Sequence, residues 1–224
     1  MTERPHEEPF DLLLRGGEVI DGTGAPRFRA DVGVRRGRIA AVGDLSQARA
    51  RQAIEIPGLV VAPGFIDIHS HSDLSLLEDG RAESKVRQGV TTEVVGNCSM
   101  SPAPVTEEVR EEVRQAFSYM AGQVEWTWRS MAEYLARFEE QGIAIHVAAL
   151  VGHGTLRAAV RGFARGFATR QERERMKALL ERCLEEGAVG LSTGFIYAPS
   201  CYADEEEVHE LGRVVERYGG LYAT

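Results

Sequence analysis

The segment PGFIDIHSHSD, Pro63 to Asp73, constrains the fold more than any other, because an apolar run there ends in two imidazoles two residues apart. Pro63-Gly64 turns the chain, and Phe65, Ile66 and Ile68 make a short apolar stretch around Asp67. Val60–His69 reads as a strand, and a strand repeats every two residues, so His69 and His71 are expected on the same side. Imidazole is the commonest side-chain ligand for zinc and similar divalent metals. The pair reads either as half of a metal site or as the solvated end of a strand. The choice depends on what else the chain brings to the same edge.

A second such ending is TTEVVGNCSMSP. Thr91 to Val95 is rich in β-branched residues and reads as a strand, which Gly96-Asn97 breaks just before Cys98. Between the two runs, Leu77 to Gly89 carries charges and reads as a helix, giving a βαβ unit with parallel strands. Parallel strands share the edge at which their carboxyl ends lie, so Cys98 is expected near His69 and His71. Alone, a cysteine there reads as a small buried hydrophobe; beside two histidines it reads as a third ligand.

The pattern continues. Ile143–Val151 reads as a strand ending in LVGHGTLR, with His153 between Gly152 and Gly154. Active sites of barrels lie at such strand ends, so His153 reads as a substrate contact or as a structural hydrogen bond. Ala188–Ser192 is the next strand, with Ser192, Thr193, Gly194 and Tyr197 at its C-terminal end, and a fifth begins at Leu221. Helical stripes fill the gaps. Val109, Val113, Ala116, Phe117 and Met120 mark one over 106–120. Ser130 with Glu133 and Thr169 with Glu172 are capping boxes opening two others. Cys183 falls on the stripe of the helix after Thr169, and the last helix, 204–218, rests on Val208, Leu211 and Val215, with His209 off the stripe. Trp126 and Trp128 read as packing.

Residues 1–60 have a different texture. Asp11–Arg15, Glu18–Asp21, Ala30–Arg35 and Arg38–Val42 are short strand candidates separated by glycine-rich turns. They predict a small antiparallel β unit, with the (β/α) region running from 61 to 224.

PGFIDIHSHSD, GVTTEVVGNCSMSP, LVGHGTLR and GAVGLSTGFIYAP, with DLLLRGGEVIDGTG and DVGVRRGRIAAVG near the start, resemble the amidohydrolase superfamily and within it the D-aminoacylase (N-acyl-D-amino-acid deacylase) branch. The HxH is shared across the superfamily. GNCS is more selective, since many relatives bridge their metals with a carboxylated lysine and this branch uses a cysteine. The resemblance implies an α/β fold: a partial TIM-like (β/α) barrel of the metal-dependent hydrolase type, preceded by part of a β-sandwich. It implies that His69, His71 and Cys98 bind zinc, one ion or two, with Cys98 bridging where there are two. It makes Tyr197 a substrate contact. The implied reaction is hydrolysis of an N-acyl-D-amino acid to a carboxylate and a D-amino acid. The alternatives are an amidohydrolase of dihydroorotase or hydantoinase type acting on a cyclic amide, and a non-catalytic truncated product. A lysine at a barrel strand end would favour the cyclic amide, but Lys85 and Lys177 both fall in predicted helices.

A (β/α)₈ barrel takes about 250 residues, and the 224 present include the N-terminal unit. The family's next histidine ligand follows a strand resembling GGLYAT, where this sequence stops at Thr224. The general-base aspartate is expected beyond residue 224. The chain thus reads as the front part of an enzyme, with little activity alone and with open strand edges that invite self-association.

Composition fits a globular enzyme, 43% hydrophobic and 27% charged. A net charge of −8 argues against a nucleic-acid partner. The one basic cluster (Arg157, Arg161, Arg165, Arg170, Arg173, Arg175 and Lys177) is interleaved with glutamates and reads as a solvated face. No apolar run approaches the ~20 residues of a membrane span. MTERPHEEP lacks the apolar core of a signal peptide, and three scattered cysteines fit a reducing cytoplasm.

Overall fold

The computed structural model describes residues 8–117 and 124–224. The chain divides into two compact units, Met1–Pro63 and Gly64–Thr224. His6 and most of the polar N-terminal tail, like Met120 of the expected 106–120 stripe, lie outside the described residues.

The first unit is a five-stranded sheet. Its strands are β1 (Phe10–Val19), β2 (Phe28–Arg35), β3 (Arg38–Gly43), β4 (Ala50–Glu55) and β5 (Val60–Val61). The order is β3-β2-β1-β4, with β5 also on β1. β1, β2 and β3 form an antiparallel meander, whereas β4 and β5 join β1 in parallel, so the sheet is mixed. The two strands expected at 11–15 and 18–21 are one strand, whose pairing with β2 shifts register between Leu14 and Gly17. Leu13, Val32, Phe10, Val19 and Ile56 are the buried hydrophobic residues described in this unit. A Cβ on Gly33 would lie 2.6 Å from the Phe10 ring, which explains the glycine inside β2.

The second unit is wound as strand and helix in alternation. It contains β6 (Phe65–Asp67), α1 (Ser75–Glu78), α2 (Glu83–Val86), β7 (Val90–Val95), α3 (Arg110–Ala116), α4 (Met131–Gln141), β8 (His146–Gly152), α5 (His153–Arg161), α6 (Arg170–Glu185), β9 (Gly190–Ser192), α7 (Glu205–Arg217) and β10 (Leu221–Ala223). The strands lie in chain order β6-β7-β8-β9-β10, and every pairing is parallel. This is part of a TIM-like barrel, and it sets all five carboxyl ends on one rim.

Two expectations need correction. The strand expected over 60–69 is broken: Val60–Val61 pairs with β1, whereas Phe65–Asp67 opens the parallel sheet. Pro63 removes a donor and Gly64 packs against Thr91, where a Cβ would lie 2.1 Å from the hydroxyl oxygen. The helix expected over 77–89 is two short ones. Asp79-Gly80 interrupts it, and a Cβ on Gly80 would lie 2.6 Å from the Gly142 carbonyl oxygen.

Both capping boxes are present, Ser130 with Glu133 and Thr169 with Glu172. The core holds Val95, Ala149, Val151, Leu156, Met176, Leu180, Cys183, Leu191, Leu211 and Val215, each nearly or fully buried. Full burial of an aliphatic side chain of this size stabilises by about 1.5–3 kcal/mol. Trp126 and Trp128 stack at 5.2 Å, Trp128 packs on Tyr134, and Trp128 Nε1 donates to the Pro102 carbonyl at 2.8 Å. Both tryptophans are packing residues, as expected.

Candidate metal centre

β6 stops at Asp67, so His69 and His71 sit just past the strand on the C-terminal rim. Ser70 N–H donates to the Val94 carbonyl at 3.1 Å and ties this stretch to β7. Cys98 follows β7 by three residues. Its sulfur lies 3.3 Å from His69 Nε2, and ligand atoms of His69, His71 and Cys98 all fall within 4.8 Å of one another. The imidazole rings meet edge to face at 5.4 Å.

Donor chemistry fits a zinc ion, and so does the 3.3 Å between His69 Nε2 and Cys98 Sγ. Bonds of about 2.0–2.1 Å to nitrogen and 2.3 Å to sulfur put tetrahedral ligand atoms roughly 3.3–3.6 Å apart. One nitrogen of His71, Nδ1, is buried and has no hydrogen-bond partner. A buried polar atom without a partner is costly and marks a place for a missing one. Burial, and then the nearby His69, hold His71 below the ordinary imidazole range, so it stays the neutral donor a metal requires. Burial, and then the Asp73 carboxyl, push the Cys98 thiol up; a cation would reverse that balance by stabilising the thiolate.

Buried groups support this rim from below and behind. Asp73 is fully buried and its Oδ1 accepts from Gly96 N–H at 2.7 Å, while Tyr134 donates to the Asp73 carbonyl at 2.8 Å. Burial pushes the Asp73 carboxyl up to about 7. Asp67 accepts from His69 N–H at 3.1 Å and pairs with Lys85 at 2.5 Å. Lys85 also reaches Glu93, a fully buried carboxylate, at 2.9 Å. Asp67 and Glu93 are register partners on β6 and β7, so one ammonium ties the two strands together beneath the histidines. The signal for this trio in the sequence is an acid inside each strand, Asp67 and Glu93. Lys177 pairs with Glu174 and Glu210 on helices. Neither lysine stands on a barrel strand: Lys85 lies in α2 and Lys177 in α6.

The other expected residues divide. His153 opens α5 and is fully buried, with Nδ1 2.5 Å from Ser200 Oγ and Nε2 2.6 Å from Glu207. Both ring nitrogens are engaged, which supports the structural hydrogen bond of its two readings. Arg157, expected on a solvated face, is also fully buried and pairs with Glu207 at 2.5 Å. Burial raises the Glu207 carboxyl, but the hydrogen bonds from His153 and Arg157 outweigh that and hold it low. Tyr197 is half exposed and shares a small cavity with Ser99, Met100, Thr155 and Pro199, next to Cys98. His209 is exposed, as expected. A larger cavity of about 520 Å³, lined by Leu135, Phe138, Ile143 and His146, opens at the opposite end of the strands and holds no such cluster.

One rim of parallel strands thus carries a histidine pair and a thiol, a donor set of the kind that holds a metal ion. Residues 52–222 match the model of the amidohydrolase family, and the chain belongs to that family. A D-aminoacylase and an N-acyl-D-glutamate deacylase of Alcaligenes xylosoxydans xylosoxydans are 43% and 42% identical to it. Each match covers 97% of this chain and 44% of the relative, so the chain spans less than half the length of these relatives. Among solved structures, the N-acyl-D-glutamate deacylase of Bordetella bronchiseptica, complexed with zinc and a phosphonate mimic of the tetrahedral intermediate, is 41% identical, with a TM-score of 0.85 over 96% of this chain and 45% of that one. A D-aminoacylase with a binuclear metal centre gives 0.84 at 43% identity, over 96% and 45%. An L-hydantoinase from Arthrobacter aurescens, 17% identical with a TM-score of 0.59 over 95% of this chain and 40% of that one, shares the fold.

Proposed function

We propose that the protein containing this chain hydrolyses the amide bond of N-acyl-D-amino acids with zinc, releasing a carboxylate and a D-amino acid. The convergence of His69, His71 and Cys98 within 4.8 Å carries the reading. Its support is twofold: a cysteine stands where a metal-bridging lysine would otherwise be sought, and the similar proteins are D-amino-acid deacylases.

When bound, zinc lowers the pKa of a water to about 7 and polarises a carbonyl. His69 and His71 serve as neutral nitrogen donors. Cys98, once deprotonated, would hold the metal as its sulfur donor. Asp67, held by Lys85, fixes the backbone at His69. Tyr197 contacts the substrate from the adjoining loop.

The first unit contributes half of a β-sandwich. The 224 residues alone have little or no turnover and hold zinc more weakly than a complete site; the Asp73 carboxyl, which acts on the Cys98 thiol, is buried and taken up by Gly96 N–H. A general base and further histidines come from beyond Thr224. We place the protein in the cytoplasm, on its three scattered cysteines.

The test is an assay of the intact protein with N-acetyl-D- and N-acetyl-L-amino acids, before and after chelation. Zinc-restored hydrolysis of the D series is the expected result. Hydrolysis indifferent to chelation, or none of any N-acyl-D-amino acid, would overturn the proposal.

A further inference from the structure

We infer that Ser192 is a positioning residue for Cys98, an inference that rests on the metal reading above. Cys98 and Ser99 both have positive φ, 54° and 71°. Side chains other than glycine adopt that region at a cost, and two in succession persist only where the surroundings enforce them. The backbone around Cys98 is therefore held in place by its neighbours rather than by its own preference.

One hydroxyl grips this turn on both sides of the cysteine. Ser192 Oγ donates to the Gly96 carbonyl at 2.5 Å and accepts from Ser99 N–H at 3.1 Å. Ser192 ends β9 and is fully buried. Other contacts hold one flank each: Asp73 takes Gly96 N–H at 2.7 Å, and Gly154 N–H donates to the Ser99 carbonyl at 2.9 Å. Ser192 alone among these spans Cys98 from one flank to the other.

The strand ends are shaped to admit the turn. A Cβ on Gly152 would lie 2.4 Å from the Ser99 carbonyl oxygen, and one on Gly194 would lie 2.8 Å from the Cys98 carbonyl oxygen. β8 and the residues after β9 thus offer bare backbone where the turn seats, with the Ser192 hydroxyl between them. Without that hydroxyl, the Gly96 carbonyl and Ser99 N–H lose their partner in a dry site. The turn can then relax toward negative φ, which swings the Cys98 sulfur away from His69.

The test uses the intact protein loaded with Co²⁺ and reads the sulfur-to-cobalt charge-transfer absorption, together with metal affinity in competition with a chelator. Wild type is expected to show the band. Ser192→Ala is expected to weaken the band per bound cobalt and to lower affinity about 10- to 100-fold, the usual effect of removing a group that orients a ligand. Ser101→Ala is the matched control. Its hydroxyl is equally buried, accepts from Gly152 N–H at 2.9 Å and donates to the Ala103 carbonyl at 2.5 Å, yet touches neither flank of Cys98. It should keep the band. An unchanged band and affinity in Ser192→Ala, or an equal loss in Ser101→Ala, overturns the inference. Absence of the band in wild type overturns the metal reading and this inference with it. Should Ser192→Ala not fold, Ser192→Thr and Ser192→Val, alike in volume and differing in the hydroxyl, carry the comparison. A band kept in the first and lost in the second supports the inference; equal bands overturn it.

Discussion

Cys98 Sγ lies 3.3 Å from His69 Nε2, although 29 residues of chain separate them. Parallel strand order brings them together, since β6 and β7 are neighbours with their carboxyl ends on one rim. Replacing Cys98 by serine exchanges a thiolate for a hydroxyl, a far poorer zinc donor. Elemental analysis after gel filtration should find zinc in the intact wild-type protein and much less in Cys98→Ser and His69→Ala. Equal zinc in all three would contradict the assignment.

The Glu207 carboxylate, held by His153 and Arg157 with no exposure, is the buried ionic centre of the second unit. Removing one partner of a buried pair leaves the other charge uncompensated, at about 3–5 kcal/mol. Arg157→Met should lose about that much in urea unfolding. A loss below about 1 kcal/mol would place the pair among weak surface contacts.

The same carboxylate gives a pH dependence with a definite sign. Its folded pKa lies below the ordinary 4.5. The stabilisation is therefore fully present above the unfolded pKa and is lost as pH falls through the folded one. Wild type should melt at progressively lower temperature on acidification below pH 4.5. Glu207→Gln has no charge to lose and should show a shallower slope. Parallel slopes would remove Glu207 from the account.

Much of this was legible in sequence, for identifiable reasons. β7 and β9 announce themselves as β-branched or apolar runs ended by glycine or serine, and GNCS falls at a strand end because glycine and asparagine break strands. The break between β5 and β6 was hidden by apolar residues running almost without pause from Leu59 to Ile68, so that only Pro63-Gly64 marked it. β4 escaped notice because ARQAIE has little apolar alternation. Arg157 looked solvated because its partner, Glu207, lies 50 residues away on another helix. The Ser192 grip on the cysteine turn spans 93 residues to Ser99, a distance no local pattern reports.

Cys183 and Cys201 should differ sharply toward a thiol reagent. Burial pushes the Cys183 thiol up to about 12, whereas Cys201 is exposed. In the native protein at pH 8, Cys201→Ala should remove one rapidly labelled thiol and Cys183→Ala none. Rapid native labelling of Cys183 would mean that α6 does not seal the core as described.

The outer edges of the parallel sheet, β6 and β10, expose Phe65, Ile66, Leu221 and Tyr222. Unpaired apolar edges template association. The 224-residue chain produced alone should elute as oligomers or bind the remainder of the protein added in trans. A sharp monomer peak with cooperative melting would contradict this.

X-ray absorption at the zinc edge of the intact, zinc-loaded protein tests the central claim most directly. A sulfur shell at about 2.3 Å beside nitrogen at about 2.0–2.1 Å, with the sulfur lost in Cys98→Ser, is the expected result. A shell of nitrogen and oxygen alone in the wild-type protein would contradict it.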